Sequence, residues 1–150
     1  MFQSVLVLCI GNICRSPVAE GILKKYAEQY HLNLSISSAG VHAMLDQGAQ
    51  PHSISVADEH NIDITSHQAK QVTIEMMHEH ELILVADDTV RKIASQQYPF
   101  ATGKIKRIGH FRHEDIQDPY LKAKSYFDIM YQHLDLCLQD WLRKVWQVSI

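Results

Sequence analysis

Apolar positions along the chain alternate between unbroken short runs and helical spacing. Ser4-Val-Leu-Val-Leu-Cys9 is bulky throughout, as a strand covered on both faces should be. After a loop, Val18, Ile22, Leu23 and Tyr26 recur at helical spacing within residues 17–27. Residues 34–38 make a second strand ending at Gly40, and residues 53–61 a helix with Ile54, Ala57 and, more weakly, Val56 as its apolar side. Residues 73–80 suggest another short helix. Residues 82–86 are again uniformly apolar, and Asp87-Asp88 offers an N-cap to a helix ending near Tyr98-Pro99. Residues 104–109 give a fourth strand, and residues 121–145 a long helix with Tyr126, Phe127, Met130, Leu134, Cys137, Leu138, Trp141 and Val145 along one stripe. Such alternation predicts an α/β sandwich with a mostly parallel central sheet. Ligands of these sheets sit beyond the carboxyl ends of strands, where strand order reverses. The loop after the first strand, residues 9–16, is where chemistry is expected.

Composition narrows the picture without changing it. The 150 residues are 46% hydrophobic and 21% charged, which suits one globular domain over residues 1–150. A net charge of −3 excludes the broad basic field that captures nucleic acid or anionic membrane. The longest apolar run, residues 5–10, is too short to cross a bilayer, and Met-Phe-Gln-Ser lacks the charge of a signal peptide. No membrane insertion and a cytoplasmic location are therefore expected. Cys9, Cys14 and Cys137 are too few, and odd in number, for a disulfide framework, which leaves reactive thiols.

The loop reads Cys9-Ile10-Gly11-Asn12-Ile13-Cys14-Arg15-Ser16-Pro17. Five residues between Cys9 and Arg15, wrapped in an arc, can turn their N–H groups inward around a tetrahedral oxyanion. Gly11 and Asn12 are the residue types that tolerate the left-handed backbone of such an arc. Pro17, after Ser16, suits the first turn of the following helix, whose positive end then faces the anion. The same field, with Arg15 and the Ser16 hydroxyl, favours a thiolate at Cys9. Arg15 can hold two phosphoryl oxygens through its planar fork, as a lysine cannot.

These residues resemble the low-molecular-weight protein-tyrosine phosphatases, whose loop is matched at Cys9, Gly11, Asn12, Cys14, Arg15, Ser16 and Pro17. Asp118-Pro119-Tyr120, Ser38-Ala39-Gly40 and residues 66–72, Ser-His-Gln-Ala-Lys-Gln-Val, look like further family segments in the right order. The resemblance implies a three-layer sandwich around a four-stranded parallel sheet of order 2-1-3-4. It also implies phosphoryl transfer through a cysteinyl-phosphate, with no metal and no cofactor. Cys9 would be the nucleophile, Arg15 and residues 10–16 the phosphate cradle, and Asp118 the general acid. Asn12, Ser16, Ser38 and His67 would hold the loop, and Ile10, Met44 and Tyr120 would wall the aryl slot. Cys14 would be a redox partner of Cys9, or simply a small inward residue. The closest branch is the bacterial one acting on tyrosine autokinases that control capsule or exopolysaccharide export, so the expected partner is a phosphotyrosine protein and the expected state a monomer. Met44 stands where animal members carry an aromatic, and Leu121 stands where they carry a second tyrosine.

Three other readings compete. His78/His80, His110/His113 and His52/His60 could be written as metal-ligand pairs, though none has closed spacing with a second strong pair. A thiol-coupled arsenate reductase would need a downstream relay cysteine, and only Cys137 is available. A non-catalytic phosphotyrosine-binding module would have no use for Cys9 with Asp118.

Overall fold

The computed structural model describes residues 1–150. Its sheet has four strands, β1 (Ser4–Cys9), β2 (Ser35–Gly40), β3 (Leu82–Val85) and β4 (Ile105–Arg107), all parallel in the order β2-β1-β3-β4. This is the sandwich and strand order expected from the sequence. Helices α1 (Arg15–Gln29), α2 (Pro51–Asp58) and α5 (Lys124–Lys144) cover one face, and α3 (Ile74–Glu79) and α4 (Asp88–Gln97) the other. The apolar runs make this possible, because successive side chains of a strand point to opposite faces. Val5, Val7, Leu82 and Leu84 join the larger core, and Leu6, Leu8, Ile83 and Val85 the smaller one.

The chain leaves β1 toward β2 on one side and returns to β3 on the other, so order reverses at the carboxyl end of β1. Cys9 is the last residue of β1, opposite Gly40 of β2. Topology thus delivers the thiol to the one place in the sheet where a crevice opens.

Local chemistry moves several boundaries. Helix α2 begins at Pro51, whose missing N–H costs nothing in a first turn, and ends before Asn61, which adopts φ 62°. Its buried side is Val56, Ala57 and Ser53, with Ile54 only partly covered, the reverse of the weighting read from the sequence. Helix α5 starts three residues later than expected, because Leu121 is left-handed (φ 65°) and Ala123 is extended. Tyr126 of its apolar stripe lies exposed, whereas Phe127 through Trp141 pack inward as expected. Strand β4 is shorter than residues 104–109, since Gly109 turns against Glu114, whose N–H donates to the Gly109 carbonyl at 3.1 Å. No helix is long and apolar enough to cross a membrane.

Candidate active site

The loop between β1 and α1 is held from outside by its carbonyls. Those of Cys9, Ile10, Gly11 and Ile13 accept the N–H groups of Val41, His42, Met44 and Gln50 at 2.8–3.0 Å. The Asn12 carbonyl accepts His67 Nε2 at 2.7 Å, and that of Cys14 accepts the Ser53 hydroxyl at 3.3 Å. A trans peptide points its C=O and N–H in opposite directions, so outward carbonyls turn the following N–H groups inward. The N–H groups of residues 10–16 accordingly donate to no other group of the chain. They face the Cys9 side of the loop as a set of donors at the N-terminus of α1, where the helix dipole adds positive potential.

Asn12 is the keystone of the arc. It is fully buried and left-handed, with φ 60°. Its Nδ2 donates to Ser16 Oγ at 2.7 Å and Ser38 Oγ at 3.1 Å, and its Oδ1 accepts the Lys70 N–H at 3.0 Å. Because both hydroxyls accept from Asn12, each keeps its own proton to give away. Ser38 gives its proton to Glu20 Oε1 at 2.5 Å, and Ser16 directs its own at Cys9 Sγ, 2.9 Å distant. The network therefore orients a donor at the sulfur. Since the Asn12 carbonyl can only accept, Nε2 of His67 carries the hydrogen.

Arg15 is buried to 2% exposure and needs compensation at that depth. Its Nη1 donates to Asp87 Oδ2 and to the Ile116 carbonyl, each at 2.7 Å, which leaves Nη2 toward the pocket, 3.9 Å from Asp118 Oδ2. Asp118 accepts the Tyr120 N–H at 3.1 Å within its own turn. Cys14 is buried beside Cys9, and burial, with the charges of Asp118 and Cys9 behind it, pushes its thiol up to about 12. It is a neutral thiol near pH 7.

These groups bound a cavity of about 270 Å³ lined by Cys9, Ile10, Arg15, Met44, Asp118 and Tyr120, among others. Ile10, Met44 and Tyr120 supply apolar parts of its lining. Ser38 and His67 meet Asn12 from outside the loop, and Ser16 meets it from within. One expectation fails: Gly11 is not left-handed, and a Cβ built there would meet Met44 Cγ only at ordinary contact distance, 3.4 Å. The glycine that the arc does require is Gly40, where a Cβ would stand 2.5 Å from the Ile10 carbonyl oxygen. Glu20, His42 and Asp87 were missed from the sequence, and Gly40 was read without this role. Asp87 was read only as an N-cap, which it is, accepting the Val90 N–H at 2.9 Å, but its other oxygen holds Arg15. Its place at the end of β3, beside β1, is the signal that could have found it.

The geometry has counterparts among known proteins. Wzb of Escherichia coli K12, a low molecular weight protein-tyrosine-phosphatase, is 37% identical over 142 residues, 94% of either chain. The structure of Vibrio vulnificus Wzb in complex with benzylphosphonate superposes with a TM-score of 0.90 at 34% identity, covering 97% of this chain and all of that one. The arginine phosphatase YwlE, solved from Bacillus subtilis, superposes at 0.89 with 26% identity, covering 98% of this chain and all of that one. Residues 4–148 match the family described as low molecular weight phosphotyrosine protein phosphatase, and with a sheet, loop and cradle of this form the chain belongs to that family.

Proposed function

We propose that the chain, acting as one domain, hydrolyses phosphotyrosine in proteins through a cysteinyl-phosphate on Cys9. The observation that carries this reading is the ring of unpartnered N–H groups from residues 10–16 around a thiol that already receives the Ser16 hydroxyl. Sulfur attacks phosphorus in line as the phosphorus–oxygen bond to the tyrosine breaks. The N–H groups and Arg15 Nη2 hold the three equatorial oxygens, matching charge spread over a metaphosphate-like transition state. A tyrosinate leaving group with a pKa of about 10 needs a proton, which Asp118 supplies. In the second step the Asp118 carboxylate takes a proton from water as the water oxygen bonds phosphorus and the sulfur leaves. The Ser16 hydroxyl receives the departing thiolate. No metal or cofactor enters either step.

The slot selects by depth: between Ile10, Met44 and Tyr120 an aryl ring brings its phosphate to Cys9, and a serine phosphate is too short to do so. The substrate on this reading is a phosphotyrosine protein, which the protein-tyrosine-phosphatase Wzb relatives support, and specifically a bacterial tyrosine autokinase of capsule or exopolysaccharide export, as the resemblance to the bacterial branch implies, with the chain acting as a cytoplasmic monomer. Cys14, next to the nucleophile in the arc, would close a disulfide on a Cys9 sulfenic acid, releasing water and protecting the nucleophile from further oxidation. An arsenate reductase relay is disfavoured because Cys137 is fully buried on α5.

The test is phosphate release from a phosphotyrosine peptide in EDTA and reductant, with phosphoserine and phosphoarginine peptides beside it. Turnover of the first alone, reduced ~10⁴-fold or more by Cys9→Ser, is expected. Binding without turnover would assign a phosphotyrosine-binding module instead, and faster turnover of phosphoarginine would reassign the substrate.

A further inference from the structure

The histidine pairs weighed as metal ligands are taken up largely by aromatic packing. His60 stacks on Tyr131 at 3.9 Å and His78 on Phe100 at 4.0 Å, while His52 meets Phe127 edge-on and His110 meets Phe111. His133 is different. Its Nε2 is buried and has no hydrogen-bond partner, although Glu114 Oε1 lies 3.4 Å away. One helical turn further along α5 is Cys137, buried and free. The carboxylate oxygen, imidazole nitrogen and sulfur all lie within 4.8 Å of one another.

We propose that Glu114, His133 and Cys137 form a site for a borderline-soft divalent cation, with Zn²⁺ the ion whose ligand preferences they match. Sulfur, imidazole nitrogen and carboxylate oxygen are the zinc donor set, and three of them with one open position is a common arrangement. Bond lengths of about 2.0–2.3 Å at tetrahedral angles separate such donors by about 3.4–3.6 Å. The Glu114–His133 edge already has that length at 3.4 Å, too long for a good hydrogen bond. Bringing Cys137 to the same spacing needs at most a shift of about 1.3 Å. His133 and Cys137, four apart, share one face of α5, as paired helical ligands must. On binding, the thiol gives its proton to solvent as the sulfur–metal bond forms.

Two surroundings matter. Arg112 lies near the thiol, but Asp140 takes its guanidinium at 2.7 and 3.3 Å and offsets its charge. Glu114 is half exposed, so the ion meets the site from solvent at that carboxylate, while a cavity of about 200 Å³ lined by His133, Asp115, Asp118 and Pro119 lies next to the imidazole. Glu114 precedes Asp118 by four residues. A cation joining it to α5 fastens the base of the segment that presents Asp118.

Because Cys9 is a second thiol able to capture zinc, activity cannot report this site, and the test uses the full chain carrying Cys9→Ser. Titration with Co²⁺ is expected to give one equivalent of binding with a thiolate-to-cobalt charge-transfer band that Zn²⁺ displaces. His133→Ala and Glu114→Gln, both at partly exposed positions, should each weaken binding at least tenfold, and Cys137→Ser should abolish the band. Should Cys137→Ser fail to fold, the other two variants decide. Absence of the band, or a band unchanged in His133→Ala and Glu114→Gln, overturns the proposal.

Discussion

The loop that carries Cys9 and the segment that carries Asp118 face one pocket, yet they are held in opposite ways. Every carbonyl from residue 9 to residue 14 has a partner, and Asn12 is locked by its side chain from both ends. Asp118, by contrast, is 46% exposed, tied by the Tyr120 N–H within its own turn, and followed by Leu121 in a left-handed conformation in open solvent. The difference follows from what each group must do. A cradle for three phosphoryl oxygens gains most when its dipoles need no reorganisation as charge develops. An acid that protonates the leaving group and then deprotonates water must let one molecule out and another in. Hydrogen bonds from the rest of the chain are concentrated where geometry is fixed through the reaction, and sparse where traffic passes.

The largest expected effect separates chemistry from architecture. Asp118→Ala should lower kcat on a phosphotyrosine peptide ~10²- to 10⁴-fold, leave KM nearly unchanged, and move the urea midpoint little. With p-nitrophenyl phosphate, whose leaving group needs no proton, the loss should be much smaller. An equal loss on both substrates would mean that Asp118 positions the substrate and does not protonate it.

Substitution in the cradle should do the reverse. Asn12→Ala removes three side-chain hydrogen bonds and leaves a Cβ-bearing residue at φ 60°, so a loss of about 3 kcal/mol in stability is expected together with a fall in kcat. Asn12→Gly isolates the backbone contribution, and should recover about 1 kcal/mol of that loss while kcat stays low. Urea denaturation of both variants beside the parent measures it. Identical stabilities for the two would show that left-handed geometry contributes nothing to holding the arc.

Asp87→Asn comes next in size. It keeps the N-cap to Val90 but removes the countercharge of buried Arg15, whose Nη1 retains the Ile116 carbonyl. Asp87 is itself partly exposed, which softens the cost, so a destabilisation of about 2 kcal/mol is expected. KM for the phosphotyrosine peptide should rise as Arg15 loses its anchor. A stability unchanged within error would mean that the Ile116 carbonyl alone suffices.

How much of this was legible follows the same division. The strands and the sequence-local loop could be read, because an apolar run, a loop and a helix start are written in contiguous residues, whereas the strand order came only with the family resemblance. Support arriving from elsewhere in the chain was legible only through resemblance, as with Ser38 and His67, or not at all, as with Glu20, while the segment holding Gly40 was recognised without the reason for its glycine. Gly40 matters because the Ile10 carbonyl crosses over it, and Glu20 because it completes a proton chain through Ser38. Neither reason exists until β2 is laid beside β1. Gly11 misled for a related cause: its residue type fits a left-handed turn, but Asn12 alone takes that role.

Cys14 offers the smallest and most local test of how firmly the cradle is closed to water. Its thiol, raised to about 12 chiefly by burial, starts from 9.0 in an unfolded chain. Between those values the unfolded state sheds a proton that the folded state keeps, so the folded state loses stability as pH rises. The contribution is intact below pH 9 and amounts to a loss of about 1 kcal/mol by pH 10. Cys137, raised to about 11 by its own burial, adds a similar loss and is unaffected by changes at Cys14. Cys14→Ala should therefore flatten the alkaline fall in stability without abolishing it. Urea midpoints at pH 8, 9 and 10 for parent and variant measure the difference in slope. Parallel slopes would mean that solvent reaches Cys14 in the folded chain, and that the cradle is more open than the hydrogen bonds around it imply.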